Sequence, residues 1–127
     1  MINVNLKPQT IIEAFESRVE KHPDKTAIIF LGTKFSYSKM GEYVRRFAAA
    51  LYELGVREGE KMIIYIPNSP QWVIAWFGIQ KIGGIAVPIT PIYTSYDLQY
   101  IASDSGAETI ICADHGCPIK SQIKLAG

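Results

Sequence analysis

Cysteine is scarce in this sequence. Cys112 and Cys117 are the only two in 127 residues, too few for a disulfide framework. Long hydrophobic runs are also missing. The longest apolar stretch, Trp72 to Ile79 with Gly78 included, falls well short of the roughly 20 residues a membrane helix requires, so no transmembrane segment is expected. The opening residues Met1 to Lys7 carry neither a basic n-region nor a long apolar h-region, which argues against secretion. Neither sign of charge dominates: 13 basic side chains face 12 acidic ones, a formal net charge of +1. Without a basic stripe to track a phosphate backbone, nucleic-acid binding has no support. The glycine fingerprint of a dinucleotide-binding turn follows none of the strands read below. What remains is 48% hydrophobic and 20% charged, an ordinary globular balance, in a chain long enough for at most one domain. A soluble, cytoplasmic protein is the expectation.

The order of the elements can be read from spacing and caps. Thr10 and Glu13 fit a capping box, Ile12, Phe15 and Val19 recur at helical spacing, and Pro23 ends the run. Residues 26–31 are β-rich, Gly32-Thr33 turns the chain, and residues 34–37 return, which predicts a short hairpin. A second helix is expected after Ser38 as its cap. Met40, Tyr43, Val44, Phe47, Ala48, Leu51 and Leu54 form its apolar stripe, charges cover the other side, and Gly55 serves as a left-handed C-cap. From Lys61 the rhythm becomes strand, helix, strand, helix, strand. Residues 62–66 are apolar on both faces, as in a covered parallel sheet. Asn68-Ser69-Pro70 sets a helix start over residues 71–82, and Gly83-Gly84 closes that helix before a strand at 85–87. Thr94 to about Ser103 is a short helix, and residues 108–113 form the third strand. Two consecutive β-α-β crossovers imply a right-handed, open parallel sheet. Residues 114–127, with Ile119, Lys120, Ile123, Lys124 and Leu125, make at most a weak helical turn or two and read as a frayed tail.

Read in order, residues 10 to 114 resemble the N-terminal portion of AMP-forming acyl-CoA synthetases, in the acyl-adenylate-forming superfamily. Four ordered blocks carry the likeness. Phe35-Ser36-Tyr37-Ser38-Lys39-Met40 is similar to the family's entry to its first long helix, and Gly55 to Met62 to its Gly-Val-x-x-Gly-Asp linker into the sheet. Pro67 to Trp72 is similar to its Pro-Asn-Ser helix start, and Lys81 to Ile89 to its Lys-x-Gly-x-x-x-Val-Pro block. Pro91-Ile92-Tyr93 and Asp104 to Glu108 continue in register. The resemblance implies two-step activation: a carboxylate attacks the α-phosphorus of ATP to give an acyl-adenylate, and coenzyme A then displaces AMP, with Mg²⁺ assisting. It places the groups that stabilise this anionic chemistry in a Ser/Thr/Gly-rich loop and later segments with no counterpart in residues 1–127. No catalytic, cofactor-binding or metal-binding residue is therefore carried onto this sequence.

Individual features have rival readings. Gly78 to Gly84 has a glycine pair but no following Lys-Ser/Thr, and it lies at a helix C-terminus, whose dipole repels phosphate. Cys112, Asp114, His115 and Cys117 contain zinc-type ligands but fall short of a closed four-ligand set. Trp72, Trp76 and Phe77 suggest an acyl pocket, yet their spacing along one helix is first of all core packing. His22, beside Pro23, reads as a solvated helix end.

The expected architecture is α/β: an incomplete parallel β-α-β-α-β sheet preceded by a helix, a hairpin and an amphipathic helix. Residues 1–127 are expected to be the N-terminal part of an AMP-binding domain, a fragment of an acyl-CoA ligase inactive by itself and holding no ATP, Mg²⁺ or coenzyme A alone. Its partner would be the remainder of the ligase or a complementing chain. The alternative is a non-catalytic module that assembles with a chain carrying the nucleotide-binding segments, using its unfinished sheet edge.

Overall fold

The computed structural model describes residues 9–90, 92–113 and 123–125. Its elements run α1 (Ile11–Lys21), β1 (Thr26–Phe30), β2 (Thr33–Ser36), α2 (Tyr37–Glu53), β3 (Lys61–Tyr65), α3 (Pro70–Lys81), β4 (Ile85–Pro88), α4 (Ser95–Ser105), β5 (Thr109–Ala113) and β6 (Ile123–Leu125). β1 and β2 form the antiparallel hairpin, and the other four strands make one sheet in the order β4-β3-β5-β6, parallel at every described pairing.

Each helix opens on a hydroxyl side chain that accepts from a backbone N–H otherwise left without a partner. Thr10 caps α1 with Glu13 reaching back to form the capping box, Ser69 caps α3 ahead of Pro70, and Thr94 caps α4. α2 starts two residues earlier than the sequence suggests. Its cap is Ser36, whose Oγ accepts from Lys39 N–H at 3.1 Å, so Ser38 lies within the first turn. The hairpin turn likewise falls at Leu31-Gly32 rather than Gly32-Thr33, with Leu31 at φ 50° and Gly32 at φ 81°.

Two helices end alike. Gly55, at φ 96°, donates to Tyr52 carbonyl, and Val56 donates to Leu51 carbonyl. At the end of α3, Gly83 at φ 76° donates to Gln80 carbonyl and Gly84 to Ile79 carbonyl. Both are Schellman closures, which satisfy the last carbonyls through a left-handed residue that only glycine adopts without strain.

The alternation of β3 creates a three-layer arrangement. Met62 and Ile64 join Phe47 and Leu51 of α2, Ala75 and Ile79 of α3, and Ile111 of β5 on one side of the sheet. Ile63 turns to the opposite side, with Leu98 of α4 and with Ile110 and Cys112 of β5. All three β3 residues are fully buried, each contributing on the order of 2–3 kcal/mol of apolar burial. The α2 stripe is buried at Met40, Val44, Phe47, Ala48 and Leu51, while Leu54 past the last turn stays 66% exposed.

Two expectations need amending. Ile123–Leu125, within the stretch read as a frayed tail, pairs with β5 as a fourth strand; an apolar–Lys–apolar triplet suits the free edge that β5 offers. The rest of that stretch, residues 114–122 and 126–127, lies outside the described residues. His22 ends α1 as read, as its C-cap with N–H donating to Arg18 carbonyl, but it is half-buried rather than fully solvated.

Candidate functional site

In an open parallel sheet, ligands gather outside the carboxyl ends of the strands, where the chain reverses direction across the sheet. Here the chain passes from β3 outward to β4, then crosses back over β3 to β5. That reversal falls between β3 and β5; beside it, the carboxyl ends of β3 and β4 border a cavity of about 550 Å³ lined by Ile66, Pro67, Asn68, Trp72, Pro88, Ile89, Thr90 and Ile92. The β3–α3 loop is fixed by Ser69, whose hydroxyl donates to Pro67 carbonyl at 2.9 Å and accepts from Trp72 N–H at 3.3 Å. The β4 exit is fixed by Ile89 N–H donating to Ile64 carbonyl at 3.1 Å, and the following turn by Tyr65 hydroxyl donating to Tyr93 carbonyl at 2.8 Å.

The chemistry of this lining is that of a binding wall. Among the described residues Asn68 and Thr90 are its polar side chains, with no acid, base, thiol or cation. The one displaced titration among the described residues is Asp97, held below the ordinary carboxylate range first by the backbone N–H of Thr94 and then by its hydroxyl. That is a helix cap, fully accounted for by α4 geometry.

The rival features fall into place around it. Gly78 lies inside α3, where a Cβ would meet Phe47 Cδ1 at 2.5 Å, so this glycine serves helix contact and not phosphate. Cys112 is buried on β5 beside Ile63, Leu98 and Ile110, the strand-end core position also open to it from the sequence. Asp114, His115 and Cys117 lie outside the described residues, and among those described no cluster of three metal-type ligands forms. Phe77 stacks on Phe15 of α1 at 4.3 Å, and Trp72 stacks on Trp76 at 5.8 Å. Both tryptophans pack against the main core, but Trp72 also faces the cavity at the sheet end. Asn68 was read from the sequence as part of a helix start and Thr90 was not singled out; strand ends followed by Pro-Asn and Pro-Ile-Thr were the available signal for a site.

The profile of the AMP-binding enzymes matches residues 15–126. The chain belongs to that family. Among its AMP-binding relatives, the long-chain-fatty-acid–CoA ligase of Haemophilus influenzae is 38% identical over 106 residues, covering 83% of this chain and 19% of the relative. The ligase of the same name from Escherichia coli O6:H1 is 35% identical over 104 residues, 81% of this chain and 18% of the relative. The chain thus spans 18–19% of the length of these curated relatives. Among solved structures, the N-terminal subdomain of Klebsiella oxytoca NpsA, in complex with 3-hydroxybenzoyl-AMSN, superposes with a TM-score of 0.81 at 26% identity, over 91% of this chain and 29% of that one. The α/β fold of this chain is accordingly that of N-terminal adenylation subdomains. No helix among the described residues is long and apolar enough to cross a membrane.

Proposed function

We propose that this chain supplies the N-terminal part of the adenylation domain of an AMP-forming acyl-CoA ligase acting in the cytoplasm. In that role it contributes scaffold and one wall of the substrate cleft rather than reacting groups. The observation that carries the reading is the agreement of the family match over residues 15–126 with the fold shared with an N-terminal adenylation subdomain. The identity of 35–38% to long-chain-fatty-acid–CoA ligases favours a fatty carboxylate as the acid that is activated.

The division of labour follows from the residues present. Joining a carboxylate to the α-phosphorus of ATP and passing the acyl group to coenzyme A requires donors and cations around a dense negative charge. Mg²⁺ would supply part of that when bound. The sheet-end cavity offers Asn68, Thr90 and apolar surface, which suits orienting an organic substrate and excluding water. The nucleotide-gripping segments must come from further residues of a longer polypeptide or from a second chain, and residues 1–127 by themselves hold neither ATP nor coenzyme A.

ATP–pyrophosphate exchange with octanoate, dodecanoate, palmitate and coumarate tests this. The chain alone should show no exchange, and adding a polypeptide that carries the missing segments should restore it. Exchange sustained by the 127 residues alone would overturn the proposal. A second reading, a non-catalytic module docking on a separate partner, is favoured by β4, which among the described residues has β3 as its only strand neighbour and so presents an open edge. Co-purification of a chain carrying the nucleotide-binding loop would support it; a clean monomer would count against it.

A further inference from the structure

A second cavity lies away from the sheet end, between α1, the hairpin, α2 and α3. Its volume is about 770 Å³, within the range of small-molecule sites, and it shares no lining residue with the cavity at the carboxyl ends of β3 and β4. Its floor is apolar: the stacked pair Phe15 and Phe77, with Ile28, Met40 and Val73. Its mouth is cationic. Arg18 and Lys21, one helical turn apart at the end of α1, both line it, and among the described residues no aspartate or glutamate does. Neither Arg18 nor Lys21 forms an ion pair among the described residues, whereas Lys81 is neutralised by Glu16 and Arg46 by Glu42.

An apolar floor beneath two unneutralised cations is complementary to one kind of small molecule. We infer that this cavity binds a single-chain anionic amphiphile, its tail on the Phe15–Phe77 floor and its head group at Arg18 and Lys21. The inference does not depend on the ligase reading, since it uses neither the sheet-end cavity nor ATP. The long stems of Arg18 and Lys21 cover apolar surface while their charged ends reach the head group. Trp76 stands next to the floor, its ring centroid 5.3 Å from that of Phe77, so its fluorescence reports occupancy.

The test is titration of the 127-residue chain with octanoate, decanoate and dodecanoate, all below their micellar concentrations, followed by tryptophan fluorescence and calorimetry. Each methylene buried should tighten binding about four-fold until the cavity is filled. Arg18→Ala with Lys21→Ala should weaken dodecanoate by up to about five-fold and leave dodecanol unchanged. Ala27→Leu, which fills space from β1, should weaken the longest chain most. Arg18 and Lys21 are exposed, so that double variant keeps the test valid even if Ala27→Leu fails to fold. Equal affinity for dodecanoate and dodecanol, no dependence on tail length, or binding only to phosphatidylglycerol vesicles and not to monomers would each overturn the proposal. ATP is absent throughout, so failure here is separable from failure of the exchange assay.

Discussion

Replacing Gly78 by alanine sets two effects of known sign against each other. Within a helix, alanine is favoured over glycine by about 1 kcal/mol, and on an open helix surface Gly78→Ala would stabilise. Here the new Cβ would stand 2.5 Å from Phe47 Cδ1, 3.4 Å from Cε1 and 3.5 Å from Cγ. Carbon pairs rest at about 3.5–4.0 Å, so the nearest contact is short by roughly 1 Å. Phe47 is 8% exposed and belongs to the main core, so the ring relieves the clash only by moving the α2–α3 contact. Overpacking of this kind costs about 1–3 kcal/mol. After subtracting the helix gain, Gly78→Ala should destabilise by about 1 kcal/mol, a fall of roughly 3–6 °C in Tm for a chain of this size. Thermal and urea unfolding measure it. The decisive arm is the same substitution in a Phe47→Leu background. With the ring gone, only the helix preference remains, and Gly78→Ala should become neutral or stabilising by up to about 1 kcal/mol. An equal effect in both backgrounds, or stabilisation in the unaltered chain, refutes the packing argument.

The remaining predictions concern caps. Ser36→Ala should destabilise by about 1 kcal/mol, because Lys39 N–H loses its acceptor, while Ser38→Ala should be nearly silent; urea unfolding of the two variants side by side checks the position of the cap. Asp97 is lowered from 3.8 by its bonds from Thr94. Its stabilising contribution is therefore fully present above that value and is lost as pH falls through the lower folded value. Melting curves of the unaltered chain and Asp97→Asn should differ at neutral pH and converge toward about pH 2; a difference that persists in acid would show that the cap does not act through the carboxylate.

What the sequence disclosed well was whatever is decided within a few residues. The Thr10–Glu13 box, the Pro70 helix start and the two-sided apolar run at Met62 to Ile64 are local patterns, and each stands as read. The Ser36 cap was missed because Ser36 and Ser38 are both plausible hydroxyls. Only the course of the backbone out of β2 decides between them. Lateral order in the sheet, β4-β3-β5-β6, has no signature in periodicity, which tells a strand its faces but not its neighbours. Both cavities were invisible for a related reason. Arg18 on α1, Ile28 on β1 and Val73 on α3 line one of them, and nothing in their spacing brings them together.

The blocks that resemble the acyl-CoA synthetases gain a physical meaning from this. Ser36 is a cap, Gly55-Val56 and Gly83-Gly84 are Schellman closures, and Ser69-Pro70 starts a helix. Every one of them specifies where an element begins or stops. That is why family membership could be read from short local patterns alone. The residues that fix the architecture are short-range and lie here, whereas those that grip the nucleotide are expected on loops that the architecture has to bring together. The apolar character of α3 fits the same division. It meets the sheet through Ala75 and Ile79, α2 at Gly78 and α1 through Phe77. Trp72 and Trp76 are left half-buried along its remaining flank, with Trp72 facing the carboxyl ends of the strands. A helix committed on three sides leaves one flank half-covered, and on that flank this chain places Trp72 next to the candidate site.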